Sequence, residues 1–299
     1  TAVSVPATAG VDVDLVITHT TKNQGTGPSL ASSTALYLST NGALDAADVL
    51  LGSTPISPLG PAASEAASTT VRIPASTAPG SYYVLAKADA ENVVLENLET
   101  NNTRASAVVR IGADLIVSAL TAPAAAAPGS TITLSETTKN QGGNSAEAST
   151  TQYYLSTNST LDAADVAVGS RAIPVLVANG VSVTTTASIT LPAPIAPGTY
   201  YVLAVADASS AIAESLENNN LRASTGVRIG ADLQTTYVNA PAFGAAGGSI
   251  SVIDTTVNYG SVAVAASSTG FYLSTNSTVD AADAFLGSRA IGELAAGAT

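Results

Sequence analysis

Thr131-Ile132-Thr133-Leu134-Ser135 alternates polar and apolar side chains, and so do Val181-Ser182-Val183-Thr184 and Ile189-Thr190-Leu191. A period of two buries one face of a strand and leaves the other in water. Thr199-Tyr200-Tyr201-Val202-Leu203-Ala204-Val205-Ala206 is apolar or aromatic at nearly every position, the pattern of a central strand. Further strands are expected at Ala113–Val117, Thr150–Thr157, Val166–Ile173 and Arg222–Ile229, with turn signals at Pro128-Gly129, Asn140-Gln141-Gly142, Asn179-Gly180 and Pro197-Gly198. Leu161-Asp162-Ala163-Ala164-Asp165 predicts one helical turn. About seven short strands without a long helical period predict an all-β fold, a two-sheet antiparallel sandwich of immunoglobulin-like architecture.

This pattern recurs. Tyr154-Leu155-Ser156-Thr157-Asn158 through Asp165 has close copies at Tyr37–Asp48 and Tyr272–Asp283, spaced 117 and 118 residues apart. A long fixed period means tandem domains rather than one large fold. The expected domains are 1–112, with its first strand missing, 113–230, complete, and 231–299, truncated. The runs Arg104–Leu115 and Arg222–Leu233 pass from a last strand to a first strand through a single glycine, Gly112 or Gly230. A flexible tether is longer and rich in Gly and Ser, so the junctions predict a stiff chain of sandwiches. The incomplete outer copies have two explanations: a window on a longer array, or strands supplied by neighbouring chains.

Cysteine is absent from the 299 residues, which excludes disulfides and thiolate metal sites. The net charge of −12 disfavours nucleic acid and anionic membrane partners and leaves divalent cations attractive. No apolar run reaches the roughly 20 residues of a membrane span. The opening Thr1-Ala2-Val3-Ser4-Val5 has no basic n-region, as expected of a mature or internal segment.

The motifs together resemble the CARDB module, a cell-adhesion-related domain found in tandem on bacterial surface and secreted proteins. The matching pieces are Ala113-Asp114-Leu115, Asn140-Gln141-Gly142 with Asn23-Gln24-Gly25, the Tyr-Leu-Ser-Thr strand, Pro197-Gly198-Thr199-Tyr200-Tyr201, and an acidic ending. That ending reads Asp207, Glu214, Glu217, Asn219, Asn220 in the second copy and Asp89, Glu96, Glu99, Asn101, Asn102 in the first. The third copy departs at Asn258-Tyr259-Gly260 and lacks the ending. The resemblance implies an immunoglobulin-like sandwich with an adhesive or structural extracellular role and no catalytic residues.

Three loops carry candidate cation ligands: Asn41, Asp45 and Asp48; Asn158, Asp162 and Asp165; Asn276, Asp280 and Asp283. Crowded oxygen donors suit a hard cation such as calcium. The competing reading is capping, with the first Asp satisfying backbone amides and the second favouring the start of a turn. The acidic ending is a second cation candidate, against turn formation by its Asn side chains. Catalysis has little support. The one histidine, His19, has no counterpart in later copies and reads as a surface residue, and acids repeated in every copy read as structure. The tyrosine pairs Tyr153-Tyr154 and Tyr200-Tyr201 raise a sugar-binding platform, although neighbours on a strand point to opposite faces. The functional expectation is therefore a non-enzymatic extracellular stalk, adhesin or filament subunit of a bacterial surface. It would self-associate or assemble head to tail, or hold a cell-surface or matrix ligand. The rivals are a glycan- or ligand-binding module and an accessory region of a secreted hydrolase.

Overall fold

A computed structural model describes residues 2–180 and 182–299. The expected strand residue Val181 and the alignment of Thr1 with Ser118 lie outside them. The first repeat contains β1 (Ala2–Ser4), β2 (Thr8–Ala9), β3 (Asp14–Lys22), β4 (Ser32–Ser39), β5 (Val49–Ile56), β6 (Ser64–Arg72), β7 (Gly80–Ala88), β8 (Thr103–Ala105) and β9 (Val109–Ile111). The second contains β10 (Leu115–Thr121), β11 (Ala125–Ala126), β12 (Thr131–Asn140), β13 (Ser149–Ser156), β14 (Val166–Ile173), β15 (Ser182–Thr190), β16 (Gly198–Val205), β17 (Leu221–Ala223) and β18 (Val227–Ile229). The third contains β19 (Leu233–Asn239), β20 (Ile253–Asn258), β21 (Ser267–Leu273) and β22 (Ala284–Ile291).

The second repeat is a sandwich of two sheets. One has the order β10-β12-β15; the other runs β11-β18-β16-β13-β14, with β17 also on β16. The first repeat copies it as β1-β3-β6 and β2-β9-β7-β4-β5, with β8 on β7. Among the described residues the strand pairings are antiparallel except the short β11–β18 and β2–β9 contacts, and one isolated parallel bridge joins Ala113 and Glu214. On β12 buried and exposed side chains alternate along most of the strand, as its Thr-Ile-Thr-Leu pattern requires. Leu115, Leu134 and Ile189 from one sheet meet Tyr153, Ile173, Val202 and Ile229 from the other in one core. Ile17, Leu36, Ile73, Val84 and Ile111 do the same in the first repeat.

Four expectations change. The first strand of repeat 1 is not missing: Ala2–Ser4 pair with Thr18–Thr20 in the register that Ala119–Thr121 keep against Ser135–Thr137. The last strand is not continuous. Ser224 interrupts it, its Oγ accepting the Val202 amide at 3.0 Å and donating to Thr225 O at 2.7 Å, so β17 and β18 pair separately with β16. The helical turn at 161–165 is a non-helical turn closed by the Asp165 amide on Asp162 O at 3.3 Å. His19 is buried, its Nε2 3.2 Å from Thr69 Oγ1.

Candidate functional site at the repeat junctions

The repeated Asn-x-Gly turn lies where one repeat meets the next. In repeat 2, Asn140 Nδ2 donates to Asn144 O, Leu176 O and Val177 O, while its Oδ1 accepts the amides of Gly142 and Asp114 at 3.0 and 3.2 Å. One buried amide thus ties its own turn, a neighbouring loop and the start of the first strand together. The Gln141 amide adds a 2.8 Å bond to Asp114 O. A Cβ on Gly142 would overlap the Gly112 carbonyl oxygen and lie 2.5 Å from Asp114 N. Glycine is required there because the linker backbone occupies the space of a side chain.

The same turn reaches the preceding repeat. Gly112 O accepts the amides of Gly143 and Asn144 at 2.8 and 3.1 Å. Asn144 Oδ1 accepts the Val11 amide at 2.9 Å. A Cβ on Gly143 would overlap the Ala9 carbonyl and lie 2.5 Å from Gly10 N. The next junction repeats the device with one change. Gly230 O accepts the Ser261 amide at 2.7 Å, and Ser261, in the place of Gly143, also donates through Oγ to Ala126 O. Asn258 Oδ1 accepts the Asp232 amide at 3.2 Å, as Asn140 does for Asp114.

The acidic ending is the second wall of this site. Glu214, buried, accepts the Leu115 amide on one oxygen and Asn220 Nδ2 on the other. The Ser215 amide donates to Ala113 O at 2.7 Å. Asn219 Nδ2 donates to Asp114 Oδ1 at 2.9 Å, and Gln141 Nε2 to Asp114 Oδ2 at 3.0 Å. Asp114 is therefore a fully buried carboxylate held from two loops. Burial pushes the Glu214 carboxyl up to about 7; the hydrogen bonds from Asn220 and Leu115 oppose this, and the charges of Glu217 and Asp207 reinforce it. Asp207 accepts the Ile212 amide at 2.8 Å and shapes the loop with a left-handed backbone at φ 42. The ending thus serves the repeat's first strand, and no other sequence signal marked that partnership.

The Asn-Asp loops behave alike in each copy. Asn41 Oδ1 accepts the Ala43 amide at 2.7 Å, Asp45 Oδ1 the Ala47 amide at 2.8 Å, and Asp48 Oδ2 the Asp45 amide at 2.9 Å. Asn158, Asp162 and Asp165 accept the amides of Thr160, Ala164 and Asp162 at 2.7, 2.8 and 2.8 Å. Asn276, Asp280 and Asp283 accept those of Thr278, Ala282 and Asp280 at the same distances. Asn41 and Asn158 also turn Nδ2, a donor, toward Asp45 and Asp162 at 3.3 and 3.4 Å. The structure brings each trio together, but with its oxygens aimed at backbone amides. Among the described residues no three His, Cys, Asp or Glu side chains converge to hold a metal ion.

A third cluster escaped the sequence reading. Glu136 on β12 crosses the core to Arg171 on β14, while Tyr153 Oη donates to the same carboxylate at 3.3 Å and Thr138 and Thr151 complete the group. Burial, with the Glu136 charge, pushes the Tyr153 phenol up to about 12. The equivalent positions hold His19, Leu36 and Thr54 in repeat 1, and Asp254, Phe271 and Arg289 in repeat 3. Arg289 grips Asp254 with two bonds of 2.6 and 2.7 Å.

The CARDB family profile matches residues 2–106 and again residues 112–224. The chain belongs to the CARDB family. CARDB domains are extracellular-type domains of unclear role. No curated protein matches the sequence. Among solved structures, the CARDB domain of a Pyrococcus furiosus protein, described in complex with di-metal ions, is 18% identical with a TM-score of 0.31, covering 40% of this chain and 90% of that one. Red sea bream transglutaminase is 13% identical with a TM-score of 0.38, over 77% of this chain and 31% of that one. A putative membrane anchored protein from Corynebacterium diphtheriae is 14% identical with a TM-score of 0.26, over 76% and 58%. Likeness at these levels carries no activity or ligand across to this CARDB chain. Among the described residues no helix is long and apolar enough to cross a membrane.

Proposed function

We propose that this chain is a non-enzymatic extracellular spacer, in which CARDB repeats join end to end as part of a stiff bacterial surface stalk, adhesin or filament. The carrying observation is the interlocked junction, where Gly143 packs on the Ala9-Gly10 backbone and Gly112 O is shared by two amides of the next repeat. Such contacts leave no free linker to swivel. The acids that repeat in every copy cap turns, which supports a structural role over catalysis. Small-angle scattering and electron microscopy of the full chain test the reading. One narrow interdomain geometry is expected; a broad spread of orientations between repeats 1 and 2 would refute it.

Against a sugar-binding role, Tyr153 is buried and Tyr200 donates to Ala196 O at 3.0 Å, with Tyr154 and Tyr201 half-buried. A stacking platform needs exposed, adjacent rings. Calcium at the Asp loops would compete with amide hydrogen bonds already made, so capping is the reading the geometry favours there. A further stiffening by calcium would appear as a calcium-dependent shift in thermal unfolding.

A further inference from the structure

The loop that carries Asn41, Asn158 or Asn276 is built alike in the three repeats. The Asn amide donates to Oγ of Ser39, Ser156 or Ser274 at 3.1, 3.0 and 3.1 Å. Its Oδ1 accepts the amide two residues on at 2.7 Å in each copy. Two features set Asn41 apart. The next residue is Gly42, where the other copies have Ser159 and Ser277. In those copies Oδ1 also accepts the hydroxyl of Thr160 or Thr278, at 2.6 and 2.8 Å, whereas Ala43 has no hydroxyl to offer. The turn does not require the glycine: its φ lies outside the left-handed region, and a Cβ there would meet nothing within 4 Å. Asn41, Gly42 and Ala43 are exposed, and among the described residues the Gly42 amide has no hydrogen-bond acceptor.

We propose that Asn41 is a self-modification site, at which the Gly42 backbone nitrogen converts the side-chain amide into a carboxylate with water as the co-reactant. The Gly42 nitrogen gives its proton to water and bonds to the Asn41 side-chain carbon, closing a cyclic imide. The side-chain nitrogen leaves as ammonia, taking its proton from water. A second water then opens the imide, at the main-chain carbonyl to leave isoaspartate or at the side-chain carbonyl to leave aspartate. The reacting atoms are held in one molecule, and a glycine nitrogen carries no Cβ neighbour to hinder its approach. The other Asn-Gly pair shows that the dipeptide alone is not enough. The Gly180 amide donates to Asn140 O at 2.6 Å, the Asn179 amide donates to Gly142 O at 2.8 Å, and Asn179 Oδ1 accepts Thr8 Oγ1 across the repeat junction at 3.3 Å. Attack there requires the junction turn to open first. At Asn41 the product changes its surroundings: Nδ2, now 3.3 Å from Asp45 Oδ2, becomes a carboxylate oxygen, so a repulsion replaces a hydrogen bond. The isoaspartate form also adds a methylene to the backbone of the turn that Asp45 and Asp48 cap. Repeat 1 thereby acquires with age a negative charge and a bent loop that the other copies do not.

The test ages the folded full chain in buffer and follows each Asn by peptide mass spectrometry, with fragmentation that separates isoaspartate from aspartate. Conversion at Asn41 should run about tenfold faster or more than at Asn158, Asn276 or Asn179, give both products, and quicken as pH rises. Anion exchange should resolve the aged chain into later-eluting forms, one of which co-elutes with Asn41→Asp. Gly42→Ser, the residue the other copies use, should slow Asn41 to the rate of Asn158 while leaving the thermal midpoint unchanged. In urea Asn179 should draw level with Asn41, since unfolding frees the Gly180 amide. A folded-state rate at Asn41 no faster than at Asn158 or Asn179 would overturn the proposal, as would a Gly42→Ser chain that converts as fast as the wild type. Aspartate without isoaspartate would mean direct hydrolysis and would overturn the role of the Gly42 nitrogen.

Discussion

Replacing Gly143 with valine should unlock the first junction. The added Cβ overlaps the Ala9 carbonyl and lies 2.5 Å from Gly10 N. Non-bonded carbon atoms rest about 3.5–4.0 Å apart, so the repeats must part by about 1 Å or more, and further for the two γ-methyls. The bonds from Gly143 and Asn144 to Gly112 O and from Val11 to Asn144 Oδ1 then lengthen from 2.8, 3.1 and 2.9 Å past useful range. At about 1 kcal/mol net for each of the three, the junction loses about 3 kcal/mol, enough to raise the open population roughly a hundredfold. The chain has no cysteine, so spin labels at Ser68→Cys and Thr186→Cys, equivalent exposed positions on β6 and β15, report the geometry cleanly. A narrow distance distribution should become broad in Gly143→Val. Gly143→Ser supplies a control, because Ser261 holds that position at the second junction; its distribution should move yet stay narrow. A Gly143→Val distribution matching the wild type would refute the interlocked junction.

Arg171→Ala should destabilise the second repeat by about 3–5 kcal/mol in urea unfolding, because it strands the buried Glu136 carboxylate; Glu136→His with Arg171→Thr and Ala187→Thr, which rebuilds the His19, Thr69 and Thr54 chain of repeat 1, should recover most of that loss. Glu214 has a folded-state value of about 7 against the usual 4.5, so the native state binds its proton more tightly. Its contribution is full below about pH 4.5 and is lost as pH rises through about 7, a fall of about 3 kcal/mol. Urea midpoints at pH 5 and pH 8 should show this slope in the wild type and a flatter one in Glu214→Gln. Asp162→Ala should cost about 1 kcal/mol by removing a cap, equally with and without calcium; a calcium-dependent stabilisation that the substitution abolishes would favour a cation site instead.

The alternating stretch Thr131–Ser135 and the apolar run Tyr200–Ala206 announced the sandwich, because strand period and burial are local properties of the chain. The single-glycine junctions announced direct coupling for the same reason. The Asn158, Asp162 and Asp165 trio was visible as a unit, but composition cannot say whether an oxygen faces a cation or an amide. Glu214 and Leu115 lie 99 residues apart, and only the closed sandwich puts them in contact. Glu136 and Arg171 sit on different sheets, so neither strand's pattern shows the pair. His19 looked like a surface residue because its side chain is polar, although it lies in phase with Leu15 and Ile17 on the buried face of β3.

Adjacent repeats this alike face a hazard during folding: a strand from one can lodge in its neighbour. The central polar pair differs between repeats 1 and 2, and this makes the exchange between them self-correcting. If β12 were to enter the sandwich of repeat 1, Glu136 would lie opposite Thr54 and Leu36 rather than Arg171 and Tyr153, leaving a dry, unpaired charge. At about 3–5 kcal/mol, that mismatch works as a proofreading step, discharging wrongly paired chains before they mature. A position at which neighbouring copies differ is then the one that keeps each strand with its own repeat.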